Sequence, residues 1–134
     1  LGSIDFAVRG GRVPAIVGKV ARWLGLNVIL RTWPDGRISA GGGLFGPVKL
    51  RTRFARFVAR RFRIDPSREQ VRILVGHGDR HEDGRLLAED LLAKYPSDSV
   101  EFCTVTDMGP AIGVHGGPGT LIVALHRVPI RAPQ

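Results

Sequence analysis

A single histidine, His115, stands in the glycine- and proline-rich stretch 109-GPAIGVHGGPGTL-121. Glycine costs conformational entropy on folding, so a glycine cluster indicates positive φ angles or close approach of another group to the main chain. Consecutive turn amides can form a concave anion site, and an imidazole N–H beside them can donate to a carboxylate or phosphate. The alternative is a tight crossing between two strands, with His115 merely exposed. The glycines of the candidate anion loop are Gly113, Gly116, Gly117 and Gly119.

A second candidate anion site lies in 49-KLRTRFARF-57. Arg51 and Arg53 stand at the predicted start of a helix, where the first amides and the helix dipole attract anions. An arginine can hold a carboxylate through two parallel hydrogen bonds. The alternative is a solvated basic helix face, which the later arginines of the same segment fit well.

His77, Asp79 and His81 follow a predicted strand, and ligands in open α/β sheets gather beyond the carboxyl ends of strands. These three residues suggest metal ligands, but their spacing is loose and no fourth ligand is evident. We therefore predict no metal site and expect solvated loop residues, with Asp79 or the start of the next helix providing the N-cap. No nucleophile, zinc-protease or P-loop motif occurs, so an autonomous enzyme is not expected.

The spacing of apolar residues predicts the elements that must position these groups. Helices are predicted over residues 14–25, 52–62 and 81–96, and strands over 27–33, 70–79, 99–108 and 120–128. The turn signal 34-PDGR-37 joins the first strand to a hairpin or an irregular excursion over 37–50, and 109–119 is expected to be a loop. From residue 70 the order is strand, helix, strand, loop, strand, which favours an α/β fold with a sheet flanked by helices.

The charge of the chain is strongly positive. There are 20 Lys and Arg residues against 12 Asp and Glu, a net charge of +8, and arginine supplies 17 of the 20. Such a balance suits nucleic acid, an anionic membrane surface or an acidic protein partner. No apolar run approaches the roughly 20 residues that cross a bilayer, and no signal peptide pattern is evident. The only cysteine, Cys103, excludes an internal disulfide and fits a reducing compartment, so we expect a cytoplasmic protein.

Four motifs, in this order, resemble the C-terminal half of the DegV family, bacterial fatty-acid-binding proteins that serve a fatty acid kinase. The last of them is the most specific, and together they span nearly all of the 134 residues. They are 8-VRGGRVP-14, 26-LNVILRTWPDGRI-38, 49-KLRTRFA-55 and 108-MGPAIGVHGGPGTL-121.

This resemblance implies one α/β domain over residues 1–134, similar to the C-terminal domain of DegV proteins (the EDD fold), with their N-terminal domain absent. It implies a long-chain fatty acid as ligand and no cofactor. The chain would be a carrier, since the kinase subunit phosphorylates the carboxylate to an acyl phosphate. By position, the family's carboxylate-contacting residues fall on His115 and Arg51, which makes the glycine stretch a head-group loop.

An acyl chain also needs apolar walls. The candidate lining residues are Ile16, Val20, Trp23, Leu24, Phe45 and Phe54. Ordinary core packing is the alternative for each of them. Because a half-length protein would leave apolar surface uncovered, weak lipid binding or self-association is also expected.

Two further hypotheses come from the charge. One is a nucleic-acid-binding module that uses 51-RTRFARFVARRFR-63. The small number of lysines and the lack of interleaved exposed aromatic residues are evidence against it. No specific nucleic acid is therefore expected. The other is a docking module whose basic helix meets an acidic kinase surface, where charge would mainly accelerate encounter. The docking and carrier hypotheses are compatible.

Overall fold

The structure, a computed structural model, describes residues 4–11 and 13–130. Two helices and a pair of strands come first, and helices and strands alternate from α3 onward. The helices are α1 (Ile4–Arg9), α2 (Ala15–Trp23), α3 (Leu50–Arg61), α4 (His81–Leu92) and α5 (Pro110–Gly116), with a 3-10 turn at Ser97–Ser99. The strands are β1 (Leu26–Thr32), β2 (Ile38–Phe45), β3 (Glu69–His77), β4 (Val100–Asp107) and β5 (Leu121–Pro129).

A three-stranded sheet organises the second half of the chain. Its order is β4-β3-β5, with β3 parallel to β4 and antiparallel to β5. Because parallel neighbours need a long crossover, α4 connects β3 to β4. The predicted α/β fold is confirmed, and α3 and α4 pack on one face of this sheet. The opposite face is open at Leu74 and Phe102, which are 38% and 47% exposed.

The core lies between β3 and α4. Val71, Ile73 and Val75 are fully buried and share one face of β3, since side chains two apart along a strand point the same way. Leu87 and Leu91, one helical turn apart on α4, are fully buried against them. Burial of each such side chain contributes roughly 1.5–3 kcal/mol.

The predicted turn at residues 34–37 produces a two-stranded hairpin. The Trp33 amide donates to the Arg37 carbonyl at 2.8 Å, and β1 and β2 pair antiparallel with an irregularity at Ile29/Leu30. The β2 strand contains three consecutive glycines, and α3 lies against it. A β-carbon on Gly42 would come within 2.8 Å of the Phe57 ring, so this glycine allows the helix to approach the strand closely.

Two local predictions are wrong. Residues 109–119 are not a continuous loop, because α5 occupies 110–116 with Pro110 in its first turn, where proline's fixed φ is already helical. The helix predicted to run to Pro96 ends at Leu92, and Ala93 caps it. In addition, α1 was not anticipated. Within residues 4–11 and 13–130, no helix is both long and apolar enough to span a bilayer.

Candidate functional site

The glycine–proline signature lies at the carboxyl end of β3. There the Met108 amide donates to the His77 carbonyl at 2.8 Å, as β4 ends. The Gly119 amide donates to the Gly78 carbonyl at 2.7 Å, and the Gly78 amide donates to the Thr120 carbonyl at 2.9 Å. These bonds hold both ends of α5 to the sheet edge where α/β folds place their ligands.

His115, in the last turn of α5, faces α1. Its Nδ1 is buried and has no hydrogen-bond partner, and it is the only such side-chain atom in the part of the chain that the structure describes. A β-carbon on Gly10 would overlap Nδ1 and lie 3.1 Å from Cε1, so glycine at this position allows this edge of the ring to approach the main chain closely.

The burial of Nδ1 determines which tautomer of a neutral His115 ring is more favourable. An orphaned buried N–H costs more than an under-used acceptor lone pair. The hydrogen therefore belongs on Nε2, at the other edge of the ring. The geometry makes His115 a hydrogen-bond donor through Nε2.

The glycines of the predicted head-group loop are mostly explained by packing. Gly117 has φ +71°, and a β-carbon there would lie 2.6 Å from Cγ of Phe6 on α1. Gly119 has φ +83°, which also favours glycine, and a β-carbon on Gly116 would press on the Thr120 side chain at 3.0 Å. Gly113 is different, because a β-carbon there would meet no atom within 4 Å. Three of the four glycines thus have a structural role whatever the chain binds.

Arg51 lies in the first turn of α3 and is paired with α4. Its Nε donates to Oδ2 of Asp90 at 2.8 Å, and the Thr52 hydroxyl donates to the same oxygen at 3.1 Å. The two ionic side chains are 31% and 23% exposed. Arg51 therefore joins two helices, and among the described residues its side-chain hydrogen bond and ion pair are with Asp90 and not with His115.

The predicted acyl-lining residues are mainly at the surface. Phe54 packs against the core, but the other five expose 44–85% of their surface. These five are Ile16, Val20, Trp23, Leu24 and Phe45, with Trp23 the most exposed. On α2 it is Gly18 and Ala21 that are buried, so the large apolar side chains form an outward face. Such an uncovered apolar surface is typical of a binding site or an interface.

Asp79 and His81 are exposed, as predicted, but the prediction of a solvated side chain is wrong for His77. His77 ends β3 at 3% exposure, with Nε2 3.3 Å from Nδ1 of His81 and Nδ1 3.5 Å from a carboxylate oxygen of Asp107. Asp79 does not cap α4, because Arg80 occupies the N-cap position. The Arg80 side chain makes no capping hydrogen bond, and the Arg80 amide donates to Nδ1 of His77 at 3.4 Å. In the ranges 4–11 and 13–130, no group of three or more His, Cys, Asp or Glu residues is placed to hold a metal.

The sequence and the fold are both similar to those of a known protein family. The family model described as "Uncharacterised protein, DegV family" matches residues 1–127. The chain belongs to the DegV family. No curated protein sequence matches it significantly.

Solved DegV structures share the fold. A fatty-acid-binding DegV protein from Thermus thermophilus is 28% identical, with a TM-score of 0.68 over 93% of this chain and 42% of its own. A DegV lipid-binding protein from Thermotoga maritima is 21% identical, with a TM-score of 0.71 over 97% of this chain and 42% of its own. A DegV protein from Eubacterium eligens loaded with heptadecanoic acid is 20% identical, with a TM-score of 0.65 over 90% of this chain and 41% of its own. The chain thus spans about two fifths of the length of these relatives.

Sequence reasoning missed Gly10 as a member of the site. It belongs to 8-VRGGRVP-14, which resembles a DegV motif, and Arg12 of that motif lies outside the described residues. The signal was a pair of adjacent glycines, Gly10 and Gly11, before a proline-initiated helix. What the sequence cannot supply is the partner of Gly10, since His115 lies more than a hundred residues away.

Proposed function

We propose that this chain supplies the carboxylate-binding half of a long-chain fatty acid carrier. The observation that carries the proposal is the His115 ring, whose Nδ1 is buried without a partner in the DegV glycine–proline signature. Fatty acid binding by the Thermus thermophilus relative and the heptadecanoic acid in the Eubacterium eligens relative support the ligand class. The carrier itself performs no chemistry and needs no cofactor.

In this proposal the Nε2–H of His115 donates to the fatty acid carboxylate. A hydrogen bond to a charged acceptor contributes about 1.5–3 kcal/mol when water is excluded. The fixed ring needs little further ordering, because Gly10 and α1 already restrict it. The head group thus lies at the carboxyl end of β3.

Arg51 is the second carboxylate ligand of the proposal. Its Nε is bonded to Asp90, but a guanidinium has five N–H donors, so others remain for a ligand. The Asp90 bond then orients the group.

The acyl chain is proposed to lie on the apolar face that α2 and the hairpin expose. Each methylene removed from water contributes about 0.8 kcal/mol. Since residues 1–134 correspond to two fifths of a relative, the remaining wall of the tunnel belongs to a second domain or a second copy. Presentation of the bound carboxylate to a kinase subunit, in the cytoplasm, completes the proposed role.

The test is native mass spectrometry of the purified chain, with organic extraction of co-purifying lipid and titration with oleic acid. We expect a fatty acid adduct that His115→Ala abolishes. His126→Ala is the matched control, because His126 is exposed on β5, away from the signature. Loss of the adduct in both variants, or in neither, would contradict the role of His115.

The role of Arg51 needs a different pair of variants. Arg51→Gln and Asp90→Asn each remove the ion pair, but only the first removes the guanidinium. We expect a similar loss of thermal stability in both and loss of oleic acid binding in Arg51→Gln alone. Equal binding losses would make Arg51 a structural residue.

A further inference from the structure

We propose that a groove between α3 and β2 binds a small oligophosphate anion, independently of any lipid. The groove has a volume of about 380 Å³ and is here named the arginine groove. It is lined by Leu44, Arg53, Arg56, Phe57, Arg60 and Arg61.

The first reason is uncompensated charge. In the part of the chain that the structure describes, none of the four groove arginines has a carboxylate within 4.0 Å. Seven arginines elsewhere in the described ranges lie within 4.0 Å of an acid, such as Arg37 with Asp35 and Arg72 with Glu101. Arg9, Arg31 and Arg63 also lack such a partner there, but only the groove places four unpaired arginines together. Like charges three or four residues apart destabilise a helix, so the groove holds a charge density that an anion would relieve.

The second reason is that two of the guanidinium groups are already fixed. Arg53 donates from Nη1 to the Phe45 carbonyl at 2.6 Å, and Arg61 donates from Nη1 to the Gly41 carbonyl at 2.7 Å. Arg61 also stacks over Phe57, with its Cζ 4.0 Å from the ring centre. Each group keeps free N–H donors, and its planar fork loses little entropy when it binds phosphate.

The third reason is the position of the remaining two arginines. Arg56 and Arg60 are exposed and one helical turn apart, so both can close on an anion from the solvent side. A terminal phosphate carries roughly −1.5 to −2 charges at pH 7. Two or three linked phosphates therefore match four guanidinium groups better than a single carboxylate does. The groove volume is also in the range of small-molecule sites, about 300–1,000 Å³.

The experiment is isothermal titration calorimetry of the chain with inorganic tripolyphosphate and, separately, with ATP. The two probes share the phosphate chemistry but differ in the nucleoside, so tighter binding of ATP would identify a nucleotide site and equal binding a phosphate site. We expect saturable binding at one site per chain.

The variant Arg56→Gln/Arg60→Gln should weaken binding by at least about tenfold, because two charge-assisted hydrogen bonds are lost. The control is Arg37→Gln/Arg68→Gln, which changes the net charge equally at side chains that are 81% and 83% exposed elsewhere. It should change affinity less than twofold. A lysine version, Arg56→Lys/Arg60→Lys, keeps the charge and should restore part of the affinity.

Three results would overturn the proposal. They are absence of binding to the unmodified chain, equal losses in the groove variant and its control, and displacement of tripolyphosphate by a tighter-binding single-stranded oligonucleotide. The last would assign the groove to a nucleic-acid surface. Circular dichroism melting of each variant excludes unfolding as the cause, and oleic acid binding should be unchanged in all of them.

Discussion

Replacement of Gly10 by alanine tests whether α1 positions His115. A β-carbon there would overlap Nδ1 of His115 and lie 3.1 Å from Cε1 and 3.2 Å from the Phe6 carbonyl oxygen. The φ angle of Gly10 is not in the left-handed region, so alanine is compatible with the local backbone. The clash with the ring is therefore the main consequence of the change.

The size of the effect follows from these contacts. Ordinary carbon contacts begin near 3.4 Å, so the ring must move by roughly 1 Å or rotate about its side-chain bonds. A displacement of this size would break the proposed hydrogen bond from Nε2 to the fatty acid carboxylate. Loss of such a bond costs about 1.5–3 kcal/mol, which corresponds to a roughly 10- to 150-fold weaker affinity for oleic acid.

Two measurements separate positioning from binding. The ¹⁵N and ¹H NMR signals of the His115 ring report its environment without a ligand, and titration with oleic acid reports affinity. Gly109→Ala is the matched control, because a β-carbon there meets no atom within 4 Å. Unchanged His115 signals in Gly10→Ala would refute the positioning argument. Shifted signals with unchanged oleic acid affinity would instead refute the head-group role of His115.

Two further predictions concern stability and pH. Leu87→Ala should lower the free energy of unfolding in urea by about 2–5 kcal/mol, because Leu87 is fully buried against β3, and a loss below 1 kcal/mol would contradict this core. The Arg72 guanidinium, bonded to Glu101 at 2.6 and 2.8 Å, lowers the pKa of that carboxyl. A lowered folded-state pKa stabilises the fold above the ordinary pKa of glutamate, and this contribution is lost as pH falls through the folded value. Arg72→Gln should therefore raise the pKa of Glu101 in an NMR titration, and an unchanged pKa would contradict this assignment.

The sheet and its main helix were predictable because their signals are local. Alternate apolar residues in β3 and the repeated leucines of α4 each specify a buried face, and the two faces can only be satisfied together. The hairpin followed from 34-PDGR-37 for the same reason. The central position of β3 and its antiparallel pairing with β5 were not predicted, because the order of the elements does not determine them.

The misread helix α5 shows the limit of local signals. The glycine content of this segment favours a loop. However, a proline in the first turn, here Pro110, and a glycine just after the last turn, here Gly117, are also typical signals of helix boundaries. The close approach of Phe6 to Gly117 adds a tertiary contact that no local pattern contains. The Arg51–Asp90 pair is similar, since it joins residues 39 positions apart.

Close packing around the glycine–proline signature accounts for several of its glycines without a ligand. Gly10 and Gly117 admit the His115 and Phe6 side chains, so α1 and α5 approach closely before any ligand is considered. A ligand role for the loop backbone is therefore not needed to account for these glycines. The feature that packing leaves unexplained is a half-buried imidazole whose Nδ1 is buried and unpartnered. Burial of an unpartnered polar atom costs free energy. A protein retains such a histidine most readily where the other ring nitrogen, here Nε2, has a functional role. A ligand role in this part of the DegV fold is therefore indicated by the orientation of His115 and much less by the glycines around it.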